Sequence, residues 1–153
     1  MTIYLLAILI GVLAGLRAMT PPAAVSWAVA LGWLDVGGTW LAFLASRWTT
    51  WILTGLALVE LVGDQLPTTP SRTVPIQFGT RIVAGAFCGA ALTGPDLAVA
   101  GALLGAVGAV IGTLGGRGFR ARLAGSFGSD PPAAFIEDAI AIGGALLIVL
   151  TLR

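Results

Sequence analysis

Glu60, Asp64, Glu137 and Asp138 lie beside or inside long apolar runs, residues 51–59 and 139–150. An ionisable group at the middle of a bilayer costs roughly 2.5–3.5 kcal/mol on insertion scales, so it needs a partner or a polar interior. Water is not the solvent this chain suits. Hydrophobic residues make up 58% of the 153 and charged residues 10%, with a mean hydropathy of +1.00. A soluble domain carries about 25% charged residues, and so greasy a chain would expose large apolar patches to water. The expectation is an all-α integral membrane protein, one membrane domain over residues 1–153, with a polar interior.

Hydropathy and helix breakers divide the chain into six apolar segments, roughly 3–18, 22–34, 40–66, 76–92, 96–115 and 131–152. A span needs about 20 residues. The third, fifth and sixth segments reach that length and the fourth is marginal. The first two are short and meet at Met19-Thr20-Pro21-Pro22. They fit two thin spans, a re-entrant hairpin, or one helix broken in mid-membrane, where irregular backbone must be covered by protein or line a cavity. No basic stretch precedes the apolar N-terminus, which reads as a first membrane segment and not a cleaved signal. Thr20 before Pro21-Pro22, and Asp130 before Pro131-Pro132, have the form of helix caps. Gly115, Gly116 and Gly118 are expected to end the fifth segment.

Two pairs of segments echo each other. Met19-Thr20-Pro21-Pro22 is similar to Leu92-Thr93-Gly94-Pro95, and Ala57-Leu58-Val59-Glu60 to Ala134-Phe135-Ile136-Glu137, at offsets of 73 and 77 residues. This fits two pseudo-repeats of three segments, about 1–72 and 73–153. An odd number of spans per copy inverts the second copy relative to the first.

All eight basic residues are arginines. With six crossings, Arg17, Arg72, Arg81, Arg117, Arg120 and Arg122 fall on one side, and only Arg47 and Arg153 on the other. The positive-inside rule makes the Arg-rich side cytoplasmic and leaves both termini outside. Arg117, Arg120 and Arg122 form a short basic loop suited to anionic lipid headgroups.

The candidate polar core follows from spacing. Glu60 and Asp64 share a helix face, and two facing carboxylates call for a proton, a cation or arginine. The plain alternative is Asp64 at headgroup level with only Glu60 buried. Glu137 and Asp138 point about 100° apart. Asp138 fits helix-start electrostatics, and Glu137, the echo of Glu60, is the stronger candidate. Arg17 and Arg81 are the plausible counter-charges, with snorkelling to the interface as the alternative. Thr20 and Thr93 stand at the two matching breaks. Gly101/Gly105, Gly108/Gly112 and Gly85/Gly89 have the small-xxx-small spacing of closely packed helices.

Other chemistry has little support. There is no histidine, no triad, no metal-ligand cluster and no phosphate-binding glycine signature with a lysine. No cofactor is implied. Cys88, the single cysteine, reads as a small buried hydrophobe. The near-neutral charge excludes a nucleic-acid footprint.

The run Leu58-Val59-Glu60-Leu61-Val62-Gly63-Asp64-Gln65-Leu66-Pro67 resembles the mark of the bacterial membrane proteins grouped as domain of unknown function 4126. That mark is Glu, three residues, Asp, a polar residue, an apolar one and Pro. Gly15-Leu16-Arg17 and Pro21-Pro22 are also similar to the family. The likeness covers most of the chain and is strongest over 13–90. Gln65 stands where lysine is common, so a salt bridge at that position is absent. The resemblance implies a small multipass protein of the bacterial inner membrane and carries no established activity.

The leading expectation is therefore transport or permeation of an ion or small solute through a polar site between inverted repeats. The alternative is a non-transporting scaffold or lipid-binding assembly unit, as a compact bundle or a homo-oligomer. A membrane-embedded enzyme is the weakest reading.

Overall fold

Proline and glycine set most of the helix boundaries of this chain. The computed structural model describes residues 2–64 and 73–153, which form six α-helices and no strand. They are α1 (Thr2–Leu16), α2 (Thr20–Ala30), α3 (Arg47–Gly63), α4 (Pro75–Thr93), α5 (Ala98–Phe127) and α6 (Asp130–Leu150). Gln65 and Pro67 of the family motif, and Arg72, lie outside the described residues. Prolines occupy the first turns of α2, α4 and α6, where the missing N–H removes no helical hydrogen bond.

Two boundaries differ from expectation. Gly115, Gly116 and Gly118 do not end α5, which continues to Phe127 and stops at Gly128, φ 69°. Glycine inside a helix costs about 1 kcal/mol but forces no turn. A left-handed residue past the last turn is what ends it. Arg117, Arg120 and Arg122 therefore ride on the last turns of α5 and not on a loop. The third apolar segment is also two elements, a 3-10 turn over Trp40–Ala45 and then the 17 residues of α3. Thr39 opens the turn by accepting the Leu41 N–H at 3.1 Å, and extended backbone at Ser46 separates the two.

Among the described residues three helices are long and apolar enough to cross a bilayer: Pro75–Thr93, Pro95–Phe127 (α5 with the 3-10 turn before it) and Asp130–Leu150. The fourth apolar segment, marginal in the sequence, is one of them. Helix α1 is apolar but has 15 residues, about 22 Å at 1.5 Å per residue, against a hydrocarbon core of about 30 Å.

The glycine spacings build the centre. Gly11 and Gly15 of α1 sit on the backbone of α5 at Gly105 and at Ala109–Thr113, so α1 and α5 run parallel. Gly85 and Gly89 of α4 meet Gly105 and Gly101, so α4 runs antiparallel to α5. A Cβ on Gly85 would lie 2.6 Å from the Gly105 carbonyl oxygen and 2.8 Å from the Ala109 methyl. Only glycine permits that approach, which is the use of small residues at membrane helix interfaces.

Helix α2 turns back beside α1. Gly144 of α6 faces Leu13, and Asp138 of α6 binds Arg17, so α6 runs antiparallel to α1 and ends near its start. The Arg153 guanidinium lies 5.9 Å from the ring centre of Trp33, just past α2. The Trp27 indole N–H donates to Thr54 Oγ1 at 3.1 Å while Met19 meets Glu60, so α3 runs antiparallel to α2. Helices α1 and α2 thus form a hairpin whose open end lies with the C-terminus and whose tip, Arg17–Met19, is buried at Arg17 and Ala18 and half-buried at Met19. Ile10, Leu13, Val25, Val29, Ala141 and Ile148 fill the core towards the open end. Leu58, Val59, Leu103 and Leu147 point outwards.

Candidate functional site

The polar site is the hairpin tip and the side chains that close around it. The last hydrogen bond at the end of α1 is Arg17 N–H to Leu13 O, 2.8 Å, and α2 resumes with Ala23 N–H to Met19 O, 3.1 Å. Between them the backbone is broken inside the protein, and its polar groups need partners from elsewhere.

Each broken end receives the charge that suits it. The Ala18 and Met19 N–H groups, at the start of α2, donate to Oε1 and Oε2 of Glu60 at 2.7 and 2.8 Å. The Gly15 and Leu16 carbonyls, at the end of α1, accept from Arg81 Nη1 at 2.9 and 2.6 Å. A carboxylate at a helix N-terminus and a cation at a C-terminus both align favourably with the helix dipole. Thr20 is therefore not the cap of α2. Met19 holds the cap position without a side-chain bond, and the distant Glu60 does the work. The Thr20 hydroxyl is buried and has no hydrogen-bond partner among the described residues.

Arg17 is fully buried and links three elements. Its Nε donates to Asp138 Oδ1 at 2.5 Å, Nη2 lies against the same carboxylate, and Nη1 binds Asp64 Oδ2. Arg81 Nη2 stands 3.9 Å from both Glu60 Oε1 and Asp64 Oδ2, which joins the two sets of charges. Arg17 and Arg81 therefore do not snorkel. Asp138, which helix-start electrostatics alone would explain, is the α6 carboxylate that binds Arg17. Glu137, fully buried, faces Arg120 Nη1 at 3.6 Å.

Arg120 is also engaged from other directions. It donates to both carboxylate oxygens of Asp130, at 2.9 and 2.5 Å, and to the Asp64 carbonyl at 3.3 Å. It ties α5 to the start of α6 and the end of α3. Thr93 is not part of this group. It lies at the α4–α5 turn, at the opposite end of α4 from Arg81, where its hydroxyl is within 3.1 Å of the Gly89 and Leu97 carbonyls.

Sequence reasoning missed Thr113, whose hydroxyl reaches Gly15 O at 3.2 Å and Ala109 O at 2.8 Å from inside the glycine seam. The available signal was a lone polar residue on the Gly105/Gly108/Gly112 face. It also missed Asp130 and Arg120 as members of the charge network. Among the described residues, no group of three or more His, Cys, Asp or Glu is arranged to hold a metal ion.

A sequence model of the family described as domain of unknown function (DUF4126) matches residues 4–151, nearly the whole chain. The chain belongs to the DUF4126 family. No curated protein and no solved structure matches it. In this DUF4126 chain the Glu60 and Asp64 of the motif are the carboxylates that hold the hairpin tip.

Proposed function

We propose that this is a multipass protein of the bacterial inner membrane that lets an ion or small solute pass at the hairpin tip. In this reading α3, α4, α5 and α6 cross the bilayer and α1–α2 enters and leaves from one side. The end carrying Arg81, Arg117, Arg120 and Arg122 faces the cytoplasm, and both termini face outwards. Helices α1–α3 and α4–α6 act as two inverted pseudo-repeats. The opposite directions of α1 and α4, and of α3 and α6, support that part.

One observation carries the transport reading. The two ends of a broken helix meet inside the protein, and the protein's own side chains ligate them. Glu60 sits where an anion would bind the α2 N–H groups, and Arg81 sits where a cation would bind the α1 carbonyls. Such paired half-helix ends are how membrane transporters present backbone to charged cargo. A solute carrying either charge competes with Glu60 or Arg81 for the tip, and the Arg17 ion pairs set how readily the tip is released. No catalytic step is part of this reading. Arg117 and Arg122, exposed on the last turns of α5, are the contacts for anionic headgroups.

The test is flux in proteoliposomes loaded in turn with alkali cations, chloride and small carboxylates. The wild-type chain is expected to pass at least one of them, and Glu60→Gln to change that flux without unfolding the protein. Wild-type liposomes as tight as empty ones to all of them would defeat the reading.

The glycine seam and the ion-paired tip also suit a second reading, a non-transporting scaffold or lipid-binding unit. There the charges lock the helices, as a compact bundle or a homo-oligomer. It is favoured if Glu60→Gln lowers stability by far more than the roughly 1–2 kcal/mol of a weakened hydrogen-bond pair and no solute shifts the melting temperature.

A further inference from the structure

At the end of the bundle where the α1–α2 hairpin opens, a pocket of about 300 Å³ lies between the chain that follows α2 and the α4–α5 turn. That volume is at the lower end of the roughly 300–1,000 Å³ that encloses a whole small molecule. Val36, Leu41 and the Trp40 indole form one wall, and Ala90, Ala91 and Ala98 the other. The loop side is shaped in advance. Val36 and Leu41 are buried in the core, and the Thr39 hydroxyl between them donates to Val36 O at 2.6 Å and accepts the Leu41 N–H at 3.1 Å. Asp35 also lines the pocket. Its Oδ1 accepts the Gly37 N–H at 2.8 Å, and its Oδ2 has no hydrogen-bond partner among the described residues.

Three features of this pocket favour positive charge. Asp35 brings a carboxylate with an acceptor to spare. Helix α4, 19 residues long, ends at Gly94 (φ 74°, ψ 175°) with no backbone N–H closing its last turn. The carbonyl end of its dipole, equivalent to about half a negative charge, therefore stands at the pocket. Trp40, 68% exposed and set edge-on to Phe87 at 6.0 Å, supplies an indole, the best aromatic partner of a cation. Asp96, exposed and next to Pro95 of the wall, adds a second negative charge nearby. None of the described residues that line the pocket is basic. Arg153 and Arg47, the arginines of this end, lie over Trp33 and Trp48.

The kind of cation follows from the walls. A hard metal ion takes six or more oxygen ligands, and this pocket offers one carboxylate among alanine, valine and leucine. A phospholipid headgroup would bring a phosphate, which finds no basic residue on the lining. We propose that the pocket binds a small, free primary alkylammonium ion. Its N–H groups donate to Asp35 Oδ2 and to the last carbonyls of α4, its charge lies against the Trp40 ring, and its hydrocarbon packs on Val36, Leu41 and Ala91. Binding here is independent of what passes at the hairpin tip, which lies at the opposite end of α4.

Calorimetric titration of the full chain in uncharged maltoside micelles tests it, with n-pentylamine as the probe. Near neutral pH this amine is protonated, as a lysine side chain is. Pentanol and pentanoate share its chain without its charge, and pentyltrimethylammonium keeps the charge without N–H donors. Pentylamine is expected to bind about tenfold more tightly than pentanol or pentanoate, and Asp35→Asn to weaken it about tenfold, the size of one charge-assisted hydrogen bond. Asparagine keeps a carbonyl for the Gly37 N–H, so the loop should hold its shape. Trp40→Ala should weaken binding more than Trp40→Phe. Ala98→Phe, which fills the pocket from the start of α5, should abolish binding even if Asp35→Asn disturbs the loop. Uptake of the amine by micelles is common to all variants and cancels in the comparison. Pentanol that binds as tightly as the amine, indifference to Asp35→Asn or to Ala98→Phe, or a trimethylammonium that binds as well as the primary one would overturn the proposal. So would displacement of pentylamine by phosphatidylethanolamine added to the micelles, which would make the occupant a lipid headgroup.

Discussion

Arg17 and Asp138 are 121 positions apart in the chain, yet the guanidinium Nε of one donates to the carboxylate of the other at 2.5 Å. The bond joins the tip of the hairpin to the middle of the last helix. Arg17 also binds Asp64 at the end of α3, so one side chain holds three elements in register. Removing one partner from a buried ion pair costs about 3–5 kcal/mol, because the charge left behind stays desolvated. Arg17→Gln is expected to lose about that much stability in detergent, read from denaturant or thermal unfolding. Removing charge at both ends should cost less than the sum of the single changes. A cycle of Arg17→Gln and Asp138→Asn with purely additive losses would mean the pair is not coupled.

Glu60 is expected to matter through the backbone. Its two oxygens hold the Ala18 and Met19 N–H groups at 2.7 and 2.8 Å. Glu60→Gln keeps one carbonyl acceptor and loses charge, so it should cost about 1–2 kcal/mol. Glu60→Ala removes both acceptors and should cost more. Amide exchange at Ala18 and Met19 separates this from a general loss of stability. Those two amides should speed up far more in Glu60→Ala than amides in the α4–α5 seam.

Much of this arrangement was legible in the sequence, and the reasons mark where reading stopped. The helices followed from apolar runs bounded by Pro21-Pro22, Pro75 and Pro131-Pro132. The glycine spacing of α4 and α5 announced close packing and delivered it at Gly85, Gly89, Gly101 and Gly105. Arg17, Glu60, Asp64 and Arg81 were identifiable because a charge in an apolar run must find company. Which charge joins which was not legible, because pairing depends on depth and rotation of helices distant in sequence. Asp138 looked like a helix-start residue because Asp130-Pro131-Pro132 stands shortly before it, and nothing local shows that it faces α1 from the third turn of α6. Thr20 looked like a cap because caps are read from local sequence, and nothing local shows that Glu60 takes that place. The end of α5 was misread because glycine breaks a helix by adopting positive φ, and composition alone does not tell Gly128 from Gly115.

The glycines divide into two kinds, and substitution should separate them. Gly85 and Gly105 touch neighbouring backbone, so Gly105→Ala must push α4 and α5 apart. A loss of about 1–3 kcal/mol is expected, typical of overpacking. Gly115 and Gly118, inside α5, have open space where a Cβ would stand. Alanine there should be neutral or stabilise the helix by about 0.5–1 kcal/mol. A Gly105→Ala variant as stable as Gly115→Ala would contradict the packing at the seam.

The hairpin makes a topological prediction that single-cysteine labelling checks. Cys88 is buried, so Cys88→Ala gives a cysteine-free background at small cost. Into it go Thr2→Cys, Asp35→Cys, Asp96→Cys and Ser129→Cys, one at a time. The first three lie at the end where the hairpin opens and the chain terminates, and Ser129 lies between α5 and α6 at the other. In intact cells an impermeant thiol reagent should reach the first three and not Ser129, which should react only after permeabilisation. Arg17→Cys should resist the reagent from both sides, because the tip is buried although α1 is too short to cross. If Thr2 and Asp35 were labelled from opposite sides, α1 and α2 could not form a hairpin. The meeting of their ends on Glu60 and Arg81, on which the permeation reading depends, would then be lost.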